Sequence, residues 1–189
     1  MQISLSFFFY LQPTAYSLQP CVFSLQPMSS DSELLKLAAQ VGAHLKSSRR
    51  FIVTAESCTG GWIGKVLTDV AGCSAWFEGG AISYSNRLKE SMVGVDAQIL
   101  ARHGAVSEAA VRGMAEGALH RFGADVAVAV SGIAGPDGGT PDKPVGTVCF
   151  AWAGPAGVDS QRLHLKGDRA AIRRESVRIA LRGLIDRLA

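Results

Sequence analysis

The sequence predicts a three-layer α/β/α sandwich built on a mixed, partly parallel sheet. Short apolar runs of strand length alternate with longer segments in which apolar residues recur at helical spacing, a pattern typical of parallel strands covered by helices. The last two strand candidates are joined only by 153-AGPAG-157, a hairpin connection that adds antiparallel pairing. With 189 residues, 48% of them hydrophobic, the chain suits a single domain with a sizeable core.

The first half of the chain predicts helices and strands in alternation. An apolar stripe at i, i+4, i+7 and i+11 indicates a first helix capped by Asp31 or Ser32. The stripe consists of Leu34, Ala38, Val41 and Leu45. Residues 51–55 form a short apolar run that predicts a buried strand, and a helix over 62–70 follows a pair of glycines. Alternation over 79–85 predicts a second strand, which a polar helix start follows directly.

The second half predicts a short helix, a longer one, three strands and a final helix. Ser107 caps the longer helix. Its expected buried face consists of Val111, Ala115, Ala118 and Phe122. Residues 125–132 are small and β-branched, as in a strand buried on both faces. Strands near 146–153 and 159–165 precede a last helix over 168–188 with an apolar face.

The amino-terminal segment has a different composition from the rest of the chain. The first 30 residues carry no acidic or basic side chain, and LQP recurs three times with a seven-residue period. Prolines at this spacing prevent a continuous helix. We therefore expect a folded domain over 28–189, starting near Met28, and a low-complexity extension over 1–27 that is disordered or is not part of the native product.

Charge and cysteine content exclude several classes of function. The net charge is +3, but the 19 basic and 16 acidic residues are interspersed, so we expect no nucleic-acid partner. The four cysteines form no CxxC pair and show no ligand spacing with the four histidines, which predicts neither a disulfide framework nor a metal site. No apolar run approaches the ~18 residues of a membrane span. We predict a cytoplasmic protein with no metal, no cofactor and no membrane partner.

Two glycine-rich loops follow predicted strands and are candidate ligand sites. The first, 54-TAESCTGG-61, lies between a strand end and a helix start, where α/β proteins bind anions on free N–H groups. It lacks the spacing of a P-loop, and a glycine turn with Thr59 as helix cap is the alternative interpretation. The second loop, from Ser131 to Gly146, contains five glycines and three prolines. Two such loops at strand ends favour one shared anion-binding cleft.

The sequence offers several candidate nucleophiles and leaves the choice open. They are Ser57, Cys58, Ser74, Ser85 and Ser131. No histidine occupies a recognisable partner position, which argues against a Ser-His-Asp triad and against catalysis by the Cys58 thiolate. A buried lysine can replace histidine, because burial lowers the lysine pKa until the amine is neutral and accepts a proton. Lys89, one helical turn beyond 83-SYSN-86, is the candidate base, and a solvated helix lysine is the alternative interpretation.

Four segments occur in a characteristic order along the chain. They are TAESCTGG, 76-WFEGGAISYSNRLKESMVGV-95, 104-GAVSE-108, and SGIAGPDGG with KPVGTV. Together they resemble the CinA carboxy-terminal domain family, the nicotinamide mononucleotide deamidases, over essentially the whole region from Met28 to the last helix. The resemblance implies an amidohydrolase that converts nicotinamide mononucleotide and water to nicotinate mononucleotide and ammonia in pyridine nucleotide recycling. It also implies a homodimer.

The resemblance further implies roles for individual residues. It places the nucleophile on Ser74 and the base on Lys89, with Tyr84 in the catalytic site. Proximity along the chain would instead pair Lys89 with Ser85, so Ser57 and Ser85 stand as substitutes. The expected substrate-binding residues are Ser57, Thr59, Gly60, Gly61, Asn86, Ser131, Gly132, Gly135 and Arg169. Which glycine loop takes the phosphate and which takes the oxyanion stays open, with Arg169 expected as a clamp on the phosphate.

Two other functions compete with this one. A non-catalytic phosphate- or nucleotide-binding module would keep the glycine loops but lack Ser74 or Lys89, and both are present. A cysteine hydrolase would use Cys58. The serine and lysine together favour the amidohydrolase.

Overall fold

The structure, a computed structural model, describes residues 30–189, which form a five-stranded sheet. The strands are β1 Ile52–Glu56, β2 Phe77–Ile82, β3 Val126–Gly132, β4 Thr147–Gly154 and β5 Gly157–His164. Their order across the sheet is β2-β1-β3-β4-β5, with β1 parallel to β2 and β3, and β4 antiparallel to both of its neighbours. This mixed sheet confirms the predicted fold class. The predicted low-complexity segment 1–27 lies outside the described residues.

Helices cover both faces of the sheet. They are α1 Asp31–Ser48, α2 Trp62–Thr68, α3 Asn86–Val93, α4 Ala97–His103, α5 Glu108–Phe122 and α6 Arg169–Leu188. The helices α1, α2 and α6 pack on one face, and α3, α4 and α5 pack on the other. A short 3-10 turn at Cys73–Ala75 leads into β2. The three layers of the predicted sandwich are therefore present.

The two faces of the sheet differ in side-chain size. β3 turns Val126, Val128 and Val130 toward α1 and α6, and it turns Ala127 and Ala129 toward α5. β4 repeats this pattern with Val148, Phe150 and Trp152 on one face and Cys149, Ala151 and Ala153 on the other. Because interiors are close-packed, the small face brings α5 near the sheet, while the large face fills the wider space below α1 and α6.

Three details of the sequence prediction are wrong at element ends. The N-cap of α1 is Ser30, whose hydroxyl accepts from the Glu33 N–H, so Asp31 is already helical. Phe122 is 41% exposed rather than buried, because it is the last residue of α5 before a left-handed glycine turns the chain away. The second strand ends at Ile82, since the next residues turn so that Ser85 can cap α3.

The parallel part of the sheet determines where the candidate site lies. The carboxyl ends of β1, β2 and β3 meet at one edge, because all three strands run in the same direction. Three segments that the sequence singled out, those around Ser57, Ser83 and Ser131, therefore lie side by side. Ligands of open α/β sheets bind at such an edge.

Candidate active site

Lys89 is a buried lysine whose amine is held by three oxygen atoms. It lies in the first turns of α3 and is 1% exposed. Its Nζ is 3.0 Å from the Ser57 Oγ, 2.9 Å from the Ser83 carbonyl oxygen and 2.9 Å from the Tyr84 carbonyl oxygen. Three acceptors match the three protons of an ammonium group. The solvated helix lysine considered from the sequence is thus not found.

Burial gives this lysine the pKa of a usable base. Because desolvation disfavours the charged amine, the pKa of Lys89 falls from its usual 10.5 to about 8. In the neutral amine two N–H bonds still donate to the carbonyls of Ser83 and Tyr84. The lone pair then faces the Ser57 hydroxyl, the third neighbour.

Ser57 lies directly after β1, at the point where the strand turns toward α2. It is 7% exposed, and its N–H donates to the Val130 carbonyl at 3.0 Å, which ties the turn to β3. The Ser57 hydroxyl therefore lies beside the Lys89 amine, and the main chain that carries it is fixed by the sheet. This is the arrangement of a nucleophile beside its base.

The carboxylate of Glu56 fills the amino end of α2. Glu56 is 1% exposed, and its Oε2 accepts from the Thr59 hydroxyl at 2.7 Å and from the N–H groups of Gly61 and Ile63 at 3.0 Å each. Its Oε1 accepts from the Gly64 N–H at 2.8 Å. The donors expected to bind a substrate phosphate are thus occupied by the chain's own anion.

Of the two loops left open for the phosphate, this turn therefore has no free donor at the Gly61 N–H. The Gly60 N–H is occupied as well, since it donates to the Ser57 carbonyl at 3.1 Å. Among residues 30–189, the N–H groups of Cys58 and Thr59 have no acceptor in another residue. These two N–H groups directly follow Ser57 and are the remaining donors of the turn.

Arg173 holds the outer side of this turn, and the sequence analysis missed it. From the second turn of α6 its guanidinium donates to the Cys58 carbonyl at 3.0 Å and to the Thr59 carbonyl at 2.8 Å. The guanidinium also lies 5.4 Å from the Trp62 ring centroid. A signal was available, because Arg169 and Arg173 are spaced i, i+4 at the start of α6 and so share one face.

The second glycine-rich loop approaches the site from β3. Ser131 is buried in β3, Gly132 ends that strand, and Arg169 donates to the Gly135 carbonyl at 2.8 Å. Arg169 is otherwise exposed and keeps further N–H donors for a ligand. This hydrogen bond places Arg169 beside the second loop, and its expected role as a clamp on the phosphate stays a prediction.

The structure does not bring Ser74 to Lys89. Ser74 is exposed in the 3-10 turn before β2, next to Trp76, whose carbonyl accepts from the Ile52 N–H at the opposite end of β1. At about 3.3 Å per residue, the length of β2 separates the two ends by roughly 20 Å. The predicted pairing of Ser74 with Lys89 is not found, and Ser57 occupies the place beside the lysine.

The remaining candidates have defined positions. Ser85 caps α3 by accepting from the Leu88 N–H, while Tyr84 is 57% exposed and Asn86 is an exposed first residue of the helix. Burial raises the pKa of the Cys58 thiol to about 12, so a thiolate nucleophile is disfavoured. Of these residues, Tyr84 contacts the Lys89 amine, through its carbonyl oxygen.

Neither a metal cluster nor a membrane helix accompanies this site in the described part of the chain. Within residues 30–189, no three His, Cys, Asp or Glu side chains gather as metal ligands would. None of the helices over the same range combines the length and apolar content needed to cross a bilayer.

The fold and the site define an α/β protein with a buried serine and lysine at the sheet's carboxyl edge. The model of the CinA C-terminal domain matches residues 34–188, and the chain belongs to this family. It is 54% identical over 156 residues to an Escherichia coli K12 protein named nicotinamide-nucleotide amidohydrolase PncC, which covers 82% of this chain and 94% of that relative. A Pseudomonas putida protein of the same name is 50% identical over 149 residues, covering 79% and 93% of the two chains.

Longer relatives and solved structures show the same family. A CinA-like protein of Akkermansia muciniphila is 53% identical over 151 residues, which are 79% of this chain but 36% of that relative. The crystal structure of the competence/damage inducible protein CihA from Agrobacterium tumefaciens superposes with a TM-score of 0.80 at 40% identity, covering 84% of this chain and 96% of that one. The family domain therefore occurs both alone and as part of longer chains.

Proposed function

We propose that this chain hydrolyses the carboxamide of nicotinamide mononucleotide, with Ser57 as nucleophile and Lys89 as base. The observation that carries the proposal is the 3.0 Å contact between the Ser57 Oγ and the buried, pKa-lowered amine of Lys89. The relatives named as nicotinamide-nucleotide amidohydrolases support the choice of substrate. The products are nicotinate mononucleotide and ammonia, which places the reaction in pyridine nucleotide recycling.

The first half-reaction transfers the acyl group to Ser57. Neutral Lys89 takes the hydroxyl proton while the Ser57 Oγ attacks the amide carbon, and the carbonyl oxygen becomes an oxyanion. The N–H groups of Cys58 and Thr59 are the donors proposed for that oxyanion. Lys89 then returns the proton to the leaving nitrogen as the C–N bond breaks, so ammonia departs and a nicotinoyl ester remains on Ser57.

The second half-reaction repeats these transfers with water. Lys89, neutral again, takes a proton from a water molecule while the water oxygen attacks the ester carbon. The tetrahedral intermediate then collapses, the bond to Ser57 breaks, and Lys89 gives the proton back to the Ser57 Oγ. No group beyond water is consumed, and the site returns to its starting state.

The residues that bind the ring and the phosphate of the substrate are assigned from the charge of those two groups. The pyridinium ring of nicotinamide mononucleotide is cationic, and the exposed Tyr84 ring offers it an aromatic face. Because Glu56 fills the amino end of α2, the 5′-phosphate is assigned to the Gly132–Gly135 loop and to Arg169. Asn86 completes the proposed substrate contacts. The homodimer and the cytoplasmic location implied by the resemblance stay predictions.

The test is ammonia release from nicotinamide mononucleotide by the full chain in the presence of a metal chelator. We expect activity in the parent, loss of about 10²-fold or more in Ser57→Ala and in Lys89→Ala, and parental activity in Ser74→Ala. Ser74→Ala is the matched control, because it removes a serine hydroxyl from the other end of the sheet. Cys58→Ala should also stay active.

Three results would contradict the proposal. Activity surviving in Ser57→Ala would remove Ser57 as nucleophile, and loss of activity in Ser74→Ala would restore the pairing implied by the resemblance. A folded parent that binds nicotinamide mononucleotide but releases no ammonia would make the chain a binding module.

A further inference from the structure

The Ser83 hydroxyl is the one buried side-chain polar atom within residues 30–189 that lacks a hydrogen-bond partner. Ser83 is 0% exposed, yet its main chain is fully engaged: the N–H donates to the Glu56 carbonyl at 2.8 Å and the carbonyl accepts from Lys89 at 2.9 Å. A buried hydroxyl without a partner destabilises the folded state, because its bonds to water are lost. The chain keeps such a hydroxyl in a residue that contacts the proposed base.

Strand register places this hydroxyl on the same face of the sheet as Ser57. In the pairing of β1 with β2, Ala55 lies opposite Ala81, and both point into the core beneath α5. Ser57 and Ser83 each follow two residues later, so alternation turns their side chains to that same face, where Lys89 lies. Paired strands are about 4.8 Å apart, which puts the two serines one strand spacing from each other.

At rest the Ser83 hydroxyl makes no hydrogen bond to the Ser57 Oγ, although that oxygen keeps a second acceptor site, so the two hydroxyls must approach each other during the reaction. In the resting protein the Ser57 Oγ is already the acceptor of the Lys89 ammonium. When Ser57 passes its proton to neutral Lys89, negative charge develops on Oγ and attracts a nearby donor more strongly, because hydrogen bonds to charged oxygens are shorter and stronger. Ser83 supplies an unpaired donor on that side.

We propose that Ser83 is a further catalytic residue whose hydroxyl donates a hydrogen bond to the Ser57 Oγ while that oxygen is negatively charged. The Ser83 proton is shared and never transferred, so no bond to Ser83 forms or breaks. The same contact serves when Ser57 attacks the amide and when Ser57 leaves the second tetrahedral intermediate. An interaction made only in the transition state raises turnover without tightening substrate binding.

The inference rests on the proposed nucleophile and base, and Ser83→Ala tests it. We expect kcat for ammonia release from nicotinamide mononucleotide to fall roughly 10- to 100-fold, the loss typical of a hydrogen bond to a charged group, with KM unchanged. Because the hydroxyl is unpaired at rest, Tm should stay at the parental value or rise by about 2–4 °C. The pH midpoint of activity should not move, since the Ser83 carbonyl still binds Lys89.

The matched control is Ser176→Ala, which removes another fully buried serine hydroxyl, one bonded to the Ile172 carbonyl at 2.7 Å in α6. It should keep the parental kcat. Parental kcat in Ser83→Ala would overturn the inference, and so would a joint fall of kcat and Tm, which indicates packing. A shifted pH midpoint would overturn it too, because the effect would then act through Lys89.

A second substrate separates this inference from the proposed function. p-Nitrophenyl acetate acylates a reactive serine whatever the natural substrate is, and nitrophenolate release reports the attack by Ser57. If the parent hydrolyses this ester but not nicotinamide mononucleotide, the proposed substrate fails while Ser83→Ala should still slow ester cleavage roughly 10- to 100-fold. Equal ester rates in the parent and Ser83→Ala would sink the role of Ser83 alone.

Discussion

The pH dependence of activity should follow the titration of Lys89. With its pKa lowered to about 8, Lys89 is neutral in about 9% of molecules at pH 7, about 50% at pH 8 and about 90% at pH 9. Only the neutral amine accepts the Ser57 proton. We therefore expect kcat/KM to rise by roughly 10-fold between pH 7 and a plateau above pH 9, with a midpoint near pH 8.

The assay is initial ammonia release at low substrate concentration from pH 7 to pH 9.5. This range lies above the second ionisation of the substrate phosphate, near pH 6, so the substrate does not change charge during the titration. The neighbouring Cys58 thiol does not titrate there either, because its pKa is raised to about 12. Ser57→Ala measured at each pH gives the background release of ammonia.

Three results would contradict a titration by Lys89. A flat profile would mean that no amine titrates in the rate-determining steps, and a midpoint near 10.5 would mean that Lys89 is solvated in the working enzyme. A midpoint near 6.5 would instead indicate a histidine base.

Two further predictions concern the turn that carries Ser57. Glu56→Gln keeps one acceptor oxygen but turns an NH2 group toward a buried N–H, so we expect about 3 kcal/mol lower stability and a Tm lower by roughly 10 °C, read by thermal unfolding. Arg173→Ala removes the donors to two carbonyls of the turn, so kcat should fall about 10-fold as the nucleophile loses its fixed position. Arg173→Lys should restore only part of that loss, because a single ammonium cannot replace the planar fork.

Exposed residues on neighbouring surfaces give the controls for both variants. Glu116→Gln on α5 should leave Tm unchanged, and a Glu56→Gln protein with parental Tm would show that the buried carboxylate does not hold the turn. Arg182→Ala on α6 should leave kcat unchanged. Full activity in Arg173→Ala would show that the turn keeps its shape without the guanidinium.

The sequence predicted the architecture well because burial leaves a periodic pattern. The stripe of α1, the β-branched run of β3 and the hairpin between β4 and β5 all lie where these patterns indicated. Lys89 was also singled out as the candidate base, since serine and asparagine residues at a strand end placed it at a sheet edge, and the structure buries its amine beside Ser57. The ends of elements were less accurate, as the cap at Ser30 shows, because capping depends on single hydrogen bonds.

The partner of Lys89 could not be read from the chain, because Ser57 and Lys89 are 32 residues apart and meet only through strand pairing. The position of the Glu56 side chain could not be predicted from the sequence either. A glycine turn before a helix is typical of an open anion site, and its residue types do not indicate that the preceding carboxylate folds back into it. The spacing of Arg173 from Arg169 placed it on the right face of α6, but its partners are backbone carbonyls, which the sequence does not identify.

The internal carboxylate of Glu56 has a consequence for how substrate is received. Many anion-binding turns are ordered by the ligand itself, so part of the binding free energy is consumed in ordering them. In this chain the turn is already ordered before any ligand arrives, because four hydrogen bonds to the Glu56 carboxylate hold it. Substrate fragments that lack a phosphate should therefore find Ser57 in the same fixed position. The phosphate should determine how long the substrate stays bound, and it should not be needed to order the site.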